Sequence, residues 1–295
     1  MMPRWSRRAG LTLVELLVAM AVTGIVGAAL IQIIMAQNRS AGSNEAWRVA
    51  RSVSRGSLNR LLADLRLAES DGALDGTTVS GQDLTLRVPY AFGVACNANN
   101  ITGPGLTVSL LPVDPTLLGA TYFAGFAWRD VSTSVYNYRT NTGNGAALHA
   151  PSSNPTICVQ PGDTIVTLPG GSVVNLTAST IGSGSPTRGM NVFLYQRVRY
   201  WFGTSTALPG KIALWRSVIG SGVSEELAAP FDTSARFRFY KVGSSVAQTS
   251  VPSPLSDTRG VEIHLDGLSE TTPQGSVGPK RIALTTSVWF KNHHD

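Results

Sequence analysis

Glu15 is the residue whose position most requires a chemical explanation, because it stands at the head of a long apolar segment. Residues 16–38 form 23 consecutive uncharged positions directly after it. An ionised group costs about 2.5–3.5 kcal/mol at the middle of a bilayer and less near the interface, and such groups usually mark a function with a specific partner. The pattern therefore predicts that Glu15 pairs with a group of opposite charge.

Elsewhere the chain carries little that indicates enzymatic chemistry. The sequence has no Gly-x-Ser-x-Gly, no Walker-type phosphate loop and no His-Glu-x-x-His. Glu225 and Glu226 are adjacent, and neighbouring residues of an extended chain point apart, which favours a solvated surface over an acid pair. An exposed polar tail explains His293 and His294 better than a metal site does. We predict no catalytic residues, no cofactor and no metal, with a membrane-anchored periplasmic enzyme as the alternative.

The composition indicates a folded chain with many turns. It has 295 residues, of which 43% are hydrophobic and 14% charged, with 30 glycines and 16 prolines. These values exclude a charge-rich disordered chain and favour short strands joined by turns. The net charge of +6 includes three positive charges from Arg4, Arg7 and Arg8. Because no basic stripe interleaved with aromatic residues stands out, nucleic-acid binding at specific sites is not predicted.

Residues 16–38 are long enough to span a bilayer. As a helix at about 1.5 Å per residue they reach roughly 35 Å, against a hydrocarbon core of about 30 Å. The basic cluster before them keeps the N-terminus in the cytoplasm and sends the chain after Arg39 to the outer side. A cleaved secretory signal peptide is the alternative, but its apolar region is usually about 7–15 residues long, shorter than the segment found here.

The residues around Glu15 resemble a known processing signal. The leader junction of type IV pilins and type II secretion pseudopilins is similar to Arg8-Ala9-Gly10-Leu11-Thr12-Leu13-Val14-Glu15-Leu16, apart from Leu11, where phenylalanine is commonest. The resemblance implies that prepilin peptidase, a membrane-embedded aspartyl peptidase, cuts after Gly10 and N-methylates Leu11. It also implies that Glu15 meets the N-terminal amine of an adjacent subunit during assembly. Cleavage also creates an N-terminal ammonium at Leu11 of the same chain. Leu11 is four residues before Glu15, and residues four apart are neighbours on a helix.

The helical pattern continues beyond Arg39 to about Ser70, and strands follow. No proline interrupts residues 11–70, and Ser40 to Ser43 offers a position for a bend. The buried stripe of the helix is predicted to contain Trp47, Ala50, Leu58, Leu61, Leu62, Leu65 and Ala68. Alternation in the later segments predicts the inward positions Val192, Leu194, Val198, Tyr200, Phe202, Phe237, Phe239, Val261, Ile263, Leu265, Ile282, Leu284, Val288 and Phe290. The predicted fold is α+β, a long helix packed on a mostly antiparallel sheet.

The C-terminal part resembles the PilW-like minor pilins and the GspJ-like pseudopilins. The resemblance rests on short motifs within residues 191–292, among them Leu214-Trp215-Arg216 and Val288-Trp289-Phe290. Residues 76–190 resemble no family and are rich in Gly, Pro, Ser, Thr and Asn, as in an elaborated strand-and-loop insertion. The chain is thereby divided into a leader (1–10), the transmembrane half of the helix (11–39), its amphipathic half (40–70), a variable region (71–190) and a C-terminal sheet region (191–295).

Cys96 and Cys158 are the only two cysteines in the chain. Both lie on the side of the membrane that permits disulfides, so we predict a bond between them, with two separate thiols as the alternative. The bond would close a loop of about 60 residues and constrain the unfolded chain by roughly 4 kcal/mol in the entropic model, which suits loops with little core of their own.

These features and the resemblance predict a structural protein of the inner membrane whose C-terminal domain is periplasmic until the protein enters a fibre on the cell surface. We expect a minor type IV pilin that is cut by prepilin peptidase, joins other minor pilins and the major pilin, primes assembly, and lies at or near the tip. About 225 residues follow the helix, and main fibre subunits of the family are smaller. A secretion pseudopilin and a tip adhesin or DNA-uptake pilin are the alternatives.

Overall fold

The fold is one long helix attached to one large antiparallel sheet. The computed structural model describes residues 12–68, 72, 74–100, 105–111, 113–120, 123–140, 149–152, 173–179 and 185–290. Within these ranges, helix α1 (Leu13–Leu67) is followed by thirteen strands that belong to a single sheet. This arrangement confirms the predicted α+β class.

The sheet is built around two long central strands, β2 and β8. Its strands are β1 (Leu74–Val79), β2 (Asp83–Asn100), β3 (Gly105–Leu111), β4 (Gly125–Arg129), β5 (Tyr136–Thr140), β6 (His149–Ser152), β7 (Val173–Ser179), β8 (Asn191–Thr204), β9 (Ile212–Val218), β10 (Ser224–Phe231), β11 (Arg236–Lys241), β12 (Thr258–Leu268) and β13 (Arg281–Trp289). The main path runs β11-β12-β10-β9-β8-β2-β3-β7-β6, with β13 on β12, β4 on β8, β5 on β4 and β1 on β2. Since β2 pairs with β8 along most of its length, residues on both sides of position 190 share one sheet.

Helix α1 is long because nothing in its sequence interrupts it and both of its ends are capped. Thr12 is the N-cap residue, in extended conformation. At the other end the N–H of Ala68 donates to the carbonyl oxygens of Asp64 and Leu65, at 3.2 and 3.3 Å. The helix remains continuous through the four residues where the sequence allows a bend. It ends slightly before the predicted position, because Ala68 has already turned to an extended conformation.

The second half of α1 packs on the sheet and forms the main core with it. Ala50, Leu61 and Leu65 are buried, as predicted. The prediction for Trp47 is wrong, because its side chain is 41% exposed. Small polar residues are buried instead: the hydroxyl of Ser54 donates to the carbonyl oxygen of Ala50 at 3.2 Å, and Ser57 binds the helix backbone in the same way. These internal hydrogen bonds let serine occupy a buried helix surface at little cost.

The helix lies close to the sheet at Gly267 of β12. A Cβ atom at this position would lie 2.2 Å from the Ser54 hydroxyl oxygen and 2.5 Å from the Ala50 carbonyl oxygen. No side chain fits between the two elements here. The close approach explains why small residues line this part of the helix.

Gly267→Ala is expected to destabilise the sheet domain by about 1–3 kcal/mol, because the added methyl group forces the helix away from β12. Urea denaturation of the full-length protein in detergent measures the loss. Gly278→Ala is the matched control, since a Cβ atom there meets nothing within 4 Å. Similar midpoints for Gly267→Ala and the parent protein would show that the contact is not tight.

The alternating apolar residues face the core, as the period-2 pattern predicts. The buried positions include Val192, Leu194, Val198, Tyr200, Phe202, Phe237, Phe239, Val261, Ile263, Leu265, Val288 and Phe290. Ile282 and Leu284 of β13 are half-buried. Most of these side chains join the α1 leucines in the main core.

A second core lies away from the helix, on the part of the sheet that residues 71–190 dominate. Its buried members are Ala91, Ala95, Val108, Leu110, Leu117, Ala120, Phe123, Phe126, Trp128, Val192 and Leu194. The composition of this region predicts loops with little core of their own. The structure corrects that expectation, because β2, β3 and β4 contribute a full apolar layer of their own.

Candidate functional site

The first half of α1 is an apolar surface that no part of the described chain covers. Its most apolar window of 18 residues has a mean hydropathy of 2.3, and none of that window is buried. The exposed large side chains are Leu13, Val14, Leu16, Leu17, Val18, Met20, Val22, Ile25, Val26, Leu30, Ile31, Ile33, Ile34 and Met35. A helix with apolar residues on every side is stable only in lipid or against other apolar helices.

Glu15 lies in the first turn of this helix and forms a capping box with Thr12. The backbone N–H and the hydroxyl of Thr12 both donate to Oε2 of Glu15, at 2.9 and 3.0 Å. The backbone N–H of Glu15 donates to Oγ1 of Thr12 at 3.3 Å. The two residues therefore satisfy backbone donors that the start of a helix leaves unpaired. This role of Thr12 is not among the predictions above, although the pattern Thr-x-x-Glu before an apolar run signals it.

The capping box fixes where the Glu15 carboxylate lies. Its negative charge sits at the positive end of the helix dipole, which is an electrostatically favourable position. Among the residues that the structure describes, no basic side chain forms an ion pair with Glu15. The predicted processing position, Gly10, and the predicted new N-terminus, Leu11, lie outside those residues. Within the described residues, the Glu15 carboxylate is therefore oriented by the capping box alone.

The second half of α1 is anchored to the sheet by a buried polar triad of Asp64, Tyr200 and Arg216. The Tyr200 hydroxyl donates to Oδ2 of Asp64 at 2.6 Å, and Nε of Arg216 donates to the same oxygen at 3.1 Å. Only 8% of the Asp64 side chain and 12% of the Arg216 side chain are exposed. Burial raises the pKa of Tyr200, and the neighbouring Asp64 carboxylate raises it further. The tyrosine therefore stays neutral, and its hydroxyl donates a hydrogen bond to the carboxylate.

Asp64→Ala is expected to lower the free energy of unfolding by about 3–5 kcal/mol, because it leaves a buried guanidinium without its counter-ion. Urea denaturation of the full-length protein, followed by tryptophan fluorescence, measures the loss. Glu45→Ala is the control: Glu45 pairs with Arg48 at 3.1 Å on the exposed side of the same helix, and a surface pair contributes about 0–1 kcal/mol. Equal losses in the two variants would contradict the anchoring role.

A second polar cluster, on β11, β12 and β13, contains a hydroxyl, an imidazole and a carboxylate that lie side by side within hydrogen-bonding distance. Nε2 of His264 lies 2.5 Å from Oε1 of Glu262, and Nδ1 lies 3.2 Å from Oγ1 of Thr285. Glu262 also accepts hydrogen bonds from Tyr240 and Arg238, at 2.7 and 3.2 Å. Burial opposes ionisation, but the hydrogen bonds from Tyr240 and His264 hold the pKa of Glu262 below its usual range. This cluster joins three neighbouring strands across one face of the sheet.

The remaining candidates from the sequence have separate surroundings. Glu226 accepts hydrogen bonds from the Ser205 and Thr206 hydroxyls, at 2.5 and 2.7 Å, whereas Glu225 is exposed; the two adjacent carboxylates do not form an acid pair. Among the described residues, no group of three or more His, Cys, Asp or Glu side chains could hold a metal ion. His293 and His294 lie outside those residues.

Cys96, on β2, is buried, with 5% of the residue exposed. Its Sγ atom lies 3.2 Å from the carbonyl oxygen of Ser109. The predicted partner, Cys158, lies outside the described residues. The disulfide between the two therefore remains a prediction.

Comparison with known proteins identifies the N-terminal segment. Neither the curated proteins nor the solved structures give a match to this chain. Residues 5–31 match the family model described as the prokaryotic N-terminal methylation motif. The matched range includes Gly10, Leu11, the Thr12–Glu15 capping box and α1 as far as Ile31. The motif implies processing by prepilin peptidase and association with the membrane, and it indicates a type IV pilin-like protein or a pseudopilin.

Proposed function

We propose that this protein is a minor type IV pilin of the PilW-like group that primes assembly of a fibre and lies at or near its tip. The observation that carries the proposal is a helix whose first half is apolar and uncovered, which begins with the Thr12–Glu15 capping box and continues into a large sheet domain. The first part supplies what any subunit needs in order to join a helical fibre core. The second part supplies a domain unlike that of a small repeating subunit.

Assembly begins, in this proposal, with removal of the leader after Gly10 in the inner membrane. Cleavage removes Arg4, Arg7 and Arg8 and leaves an ammonium at Leu11. Without those three charges, the N-terminal end of the helix can move out of the cytoplasmic interface and into an apolar bundle. The prepilin peptidase, the other minor pilins and the major pilin are the proposed partners.

Glu15 then provides a check on the register between subunits. Its carboxylate pairs with the N-terminal amine of an adjacent subunit once both are surrounded by apolar side chains. A correct pair contributes little net stability, because both charges lose water, whereas one buried charge without a partner costs about 3–5 kcal/mol. The energetic cost of a misaligned subunit is therefore larger than the stabilisation of a correctly aligned one. The Thr12 hydrogen bonds support this role by keeping the carboxylate at the helix end.

The large domain supports a minor subunit rather than the repeating one. Thirteen strands and two apolar cores follow the helix, and such a domain is difficult to repeat along a thin fibre. We infer that the protein acts by assembly and not by catalysis. The Thr285–His264–Glu262 arrangement supports a structural role for those residues, because Tyr240 and Arg238 also engage the carboxylate.

Immunogold labelling of isolated fibres with an antibody to the sheet domain tests the proposal. We expect gold at fibre ends, at about one site per fibre, and loss of most surface fibres in a strain without the gene. Labelling along the whole fibre would contradict the minor role. Association with a secretion channel, without surface fibres, would favour the GspJ-like pseudopilin.

A further inference from the structure

The loop between β12 and β13, residues 269–280, carries an exposed apolar tip beside the helix. Val277 is fully exposed, and no contact within the described chain explains its position at the tip. The rest of the loop lies along α1, where Gly42, Ala46 and Val49 form a groove of about 410 Å³ with residues 269–274. The loop is thus placed against the helix while its tip remains free.

Hydrogen bonds at the base hold this loop in a defined shape. The backbone N–H of Ser269 donates to the carbonyl oxygen of Lys280 at 2.8 Å. The backbone N–H of Lys280 donates to the Ser269 hydroxyl oxygen at 2.9 Å, and that hydroxyl donates to the carbonyl oxygen of Thr271 at 2.7 Å. Within the loop, the N–H of Ser276 donates to the carbonyl oxygen of Pro273 at 3.0 Å. The tip therefore does not need to be ordered by its partner.

The loop runs along α1 towards the membrane end of the helix. Near its base, the Lys280 ammonium lies 6.0 Å from the centre of the Trp47 ring. Near its tip, a Cβ atom on Gly275 would lie 3.9 Å from Cδ of Arg39. Arg39 is the first charged residue after the uncharged positions 16–38. Eight residues of helix separate Arg39 from Trp47, so the loop descends by about 12 Å along the axis and brings Val277 to the level where the apolar segment ends.

The charges around the loop are almost balanced. Arg39 and Lys280 are opposed by Glu270, and Glu45 is paired with Arg48. The loop itself, residues 269–280, carries no net charge, because Glu270 offsets Lys280, so the loop adds little attraction to anionic lipid. An exposed valine, in contrast, gains by entering the boundary between headgroups and acyl chains.

We propose that the 269–280 loop docks on the phospholipid headgroup layer of the bilayer that α1 spans, with Val277 inserted at the interface. The inference rests on the proposed membrane-anchored function. Because α1 already tethers the domain to the bilayer, docking is an intramolecular step, and a single apolar side chain is enough to bias it. The contact fixes the orientation of the sheet domain on the membrane before assembly, and it is released when the helix leaves the bilayer.

Site-directed fluorescence with lipid quenchers tests this inference. The environment-sensitive dye NBD is attached at Val277→Cys in the full-length protein, reconstituted in phosphatidylcholine vesicles with or without lipids that carry a doxyl quencher near the headgroup. Val246→Cys is the matched control, because this exposed valine follows β11, and Lys241 of β11 pairs with Thr258 at the opposite end of β12 from the loop. Ala29→Cys, near the middle of the apolar half of α1 and about 15 Å from Arg39 along the helix, is measured with a doxyl quencher deep in the acyl chains and reports whether the helix is anchored. The parent protein gives the background from the two native cysteines.

We expect quenching at Val277→Cys and Ala29→Cys and none at Val246→Cys, unchanged by 0.5 M salt, roughly five times the ionic strength at which the screening length is about 10 Å. Quenching at Ala29→Cys without quenching at Val277→Cys overturns the docking inference and leaves the proposed function standing. No quenching at Ala29→Cys overturns the membrane anchor itself. Equal quenching at the two valine positions overturns the inference as well, because it shows a non-specific collapse onto the bilayer.

Discussion

Glu15→Ala is expected to be cut and folded normally but to be almost absent from fibres. The substitution leaves the sheet domain untouched, since Glu15 is far along α1 from every buried residue of the helix. In the proposed fibre it removes the carboxylate that pairs with the amine of an adjacent subunit. The unpaired ammonium then costs about 3–5 kcal/mol in an apolar bundle, which corresponds to a loss of incorporation of more than about a hundredfold. Quantitative immunoblots of sheared fibres against the membrane fraction measure the ratio.

Two further variants separate the charge of Glu15 from its hydrogen bonds. Glu15→Gln keeps an oxygen that accepts from Thr12, because glutamine also serves in capping boxes, yet it has no charge. Thr12→Ala keeps the charge and loses the cap, at a cost of about 0.5–2 kcal/mol for the helix start. We expect Glu15→Gln to fail as Glu15→Ala does, and Thr12→Ala to assemble. If Glu15→Gln enters fibres at the parent level, the cap is what matters and the ion pair is not required.

The local pattern in the sequence accounts for much of the fold, because a single face of each element is buried. Val261, Ile263 and Leu265 alternate with polar residues. Because successive side chains of a strand point to opposite faces, all three lie on the face that meets the core. The same reasoning works for most of α1 after Arg39. It fails at Trp47, because periodicity predicts the side of the helix but not how close the sheet comes. Gly267 sets that distance, and it is more than two hundred residues away in the sequence.

Local sequence patterns do not predict long-range polar contacts, for a related reason. Asp64 is separated from Tyr200 by 136 residues and from Arg216 by 152, and no local pattern brings them together. The local sequence around each of the three residues is typical of an ordinary surface or strand position. Their strength as an anchor comes from joint burial, which only the topology of β8, β9 and α1 creates.

The variable region, residues 71–190, contains a strand pattern that its overall composition conceals. Leu84, Leu86 and Val88 alternate with Thr85 and Arg87 in the same way as the residues of β8, and all three apolar side chains are buried. Their pattern indicated a core strand, although the abundant glycine and proline further along suggested loops. Composition averaged over residues 76–190 obscured the strand that lies at the centre of the sheet.

Gly10→Val is expected to leave the precursor uncut and to abolish incorporation completely. The methylation motif spans this position, and the resemblance to prepilins places the cut directly after it. A branched side chain at this position blocks access of the peptidase to the peptide bond. The uncut chain retains Arg4, Arg7 and Arg8, and each arginine costs about 2.5–3.5 kcal/mol at the centre of a bilayer. The leader therefore holds the helix at the cytoplasmic face and prevents its extraction into a fibre.

Mass spectrometry of the purified N-terminal peptide measures this outcome. The parent protein should begin at N-methylated Leu11, and Gly10→Val should retain the whole leader. Gly24→Val is the matched control, because a Cβ atom at Gly24 meets nothing within 4 Å and the site lies well past the cut; it should be processed like the parent. A mature chain beginning at N-methylated Leu11 in Gly10→Val would remove the basis for the assembly role of Glu15, since the amine that it pairs with arises at that cut.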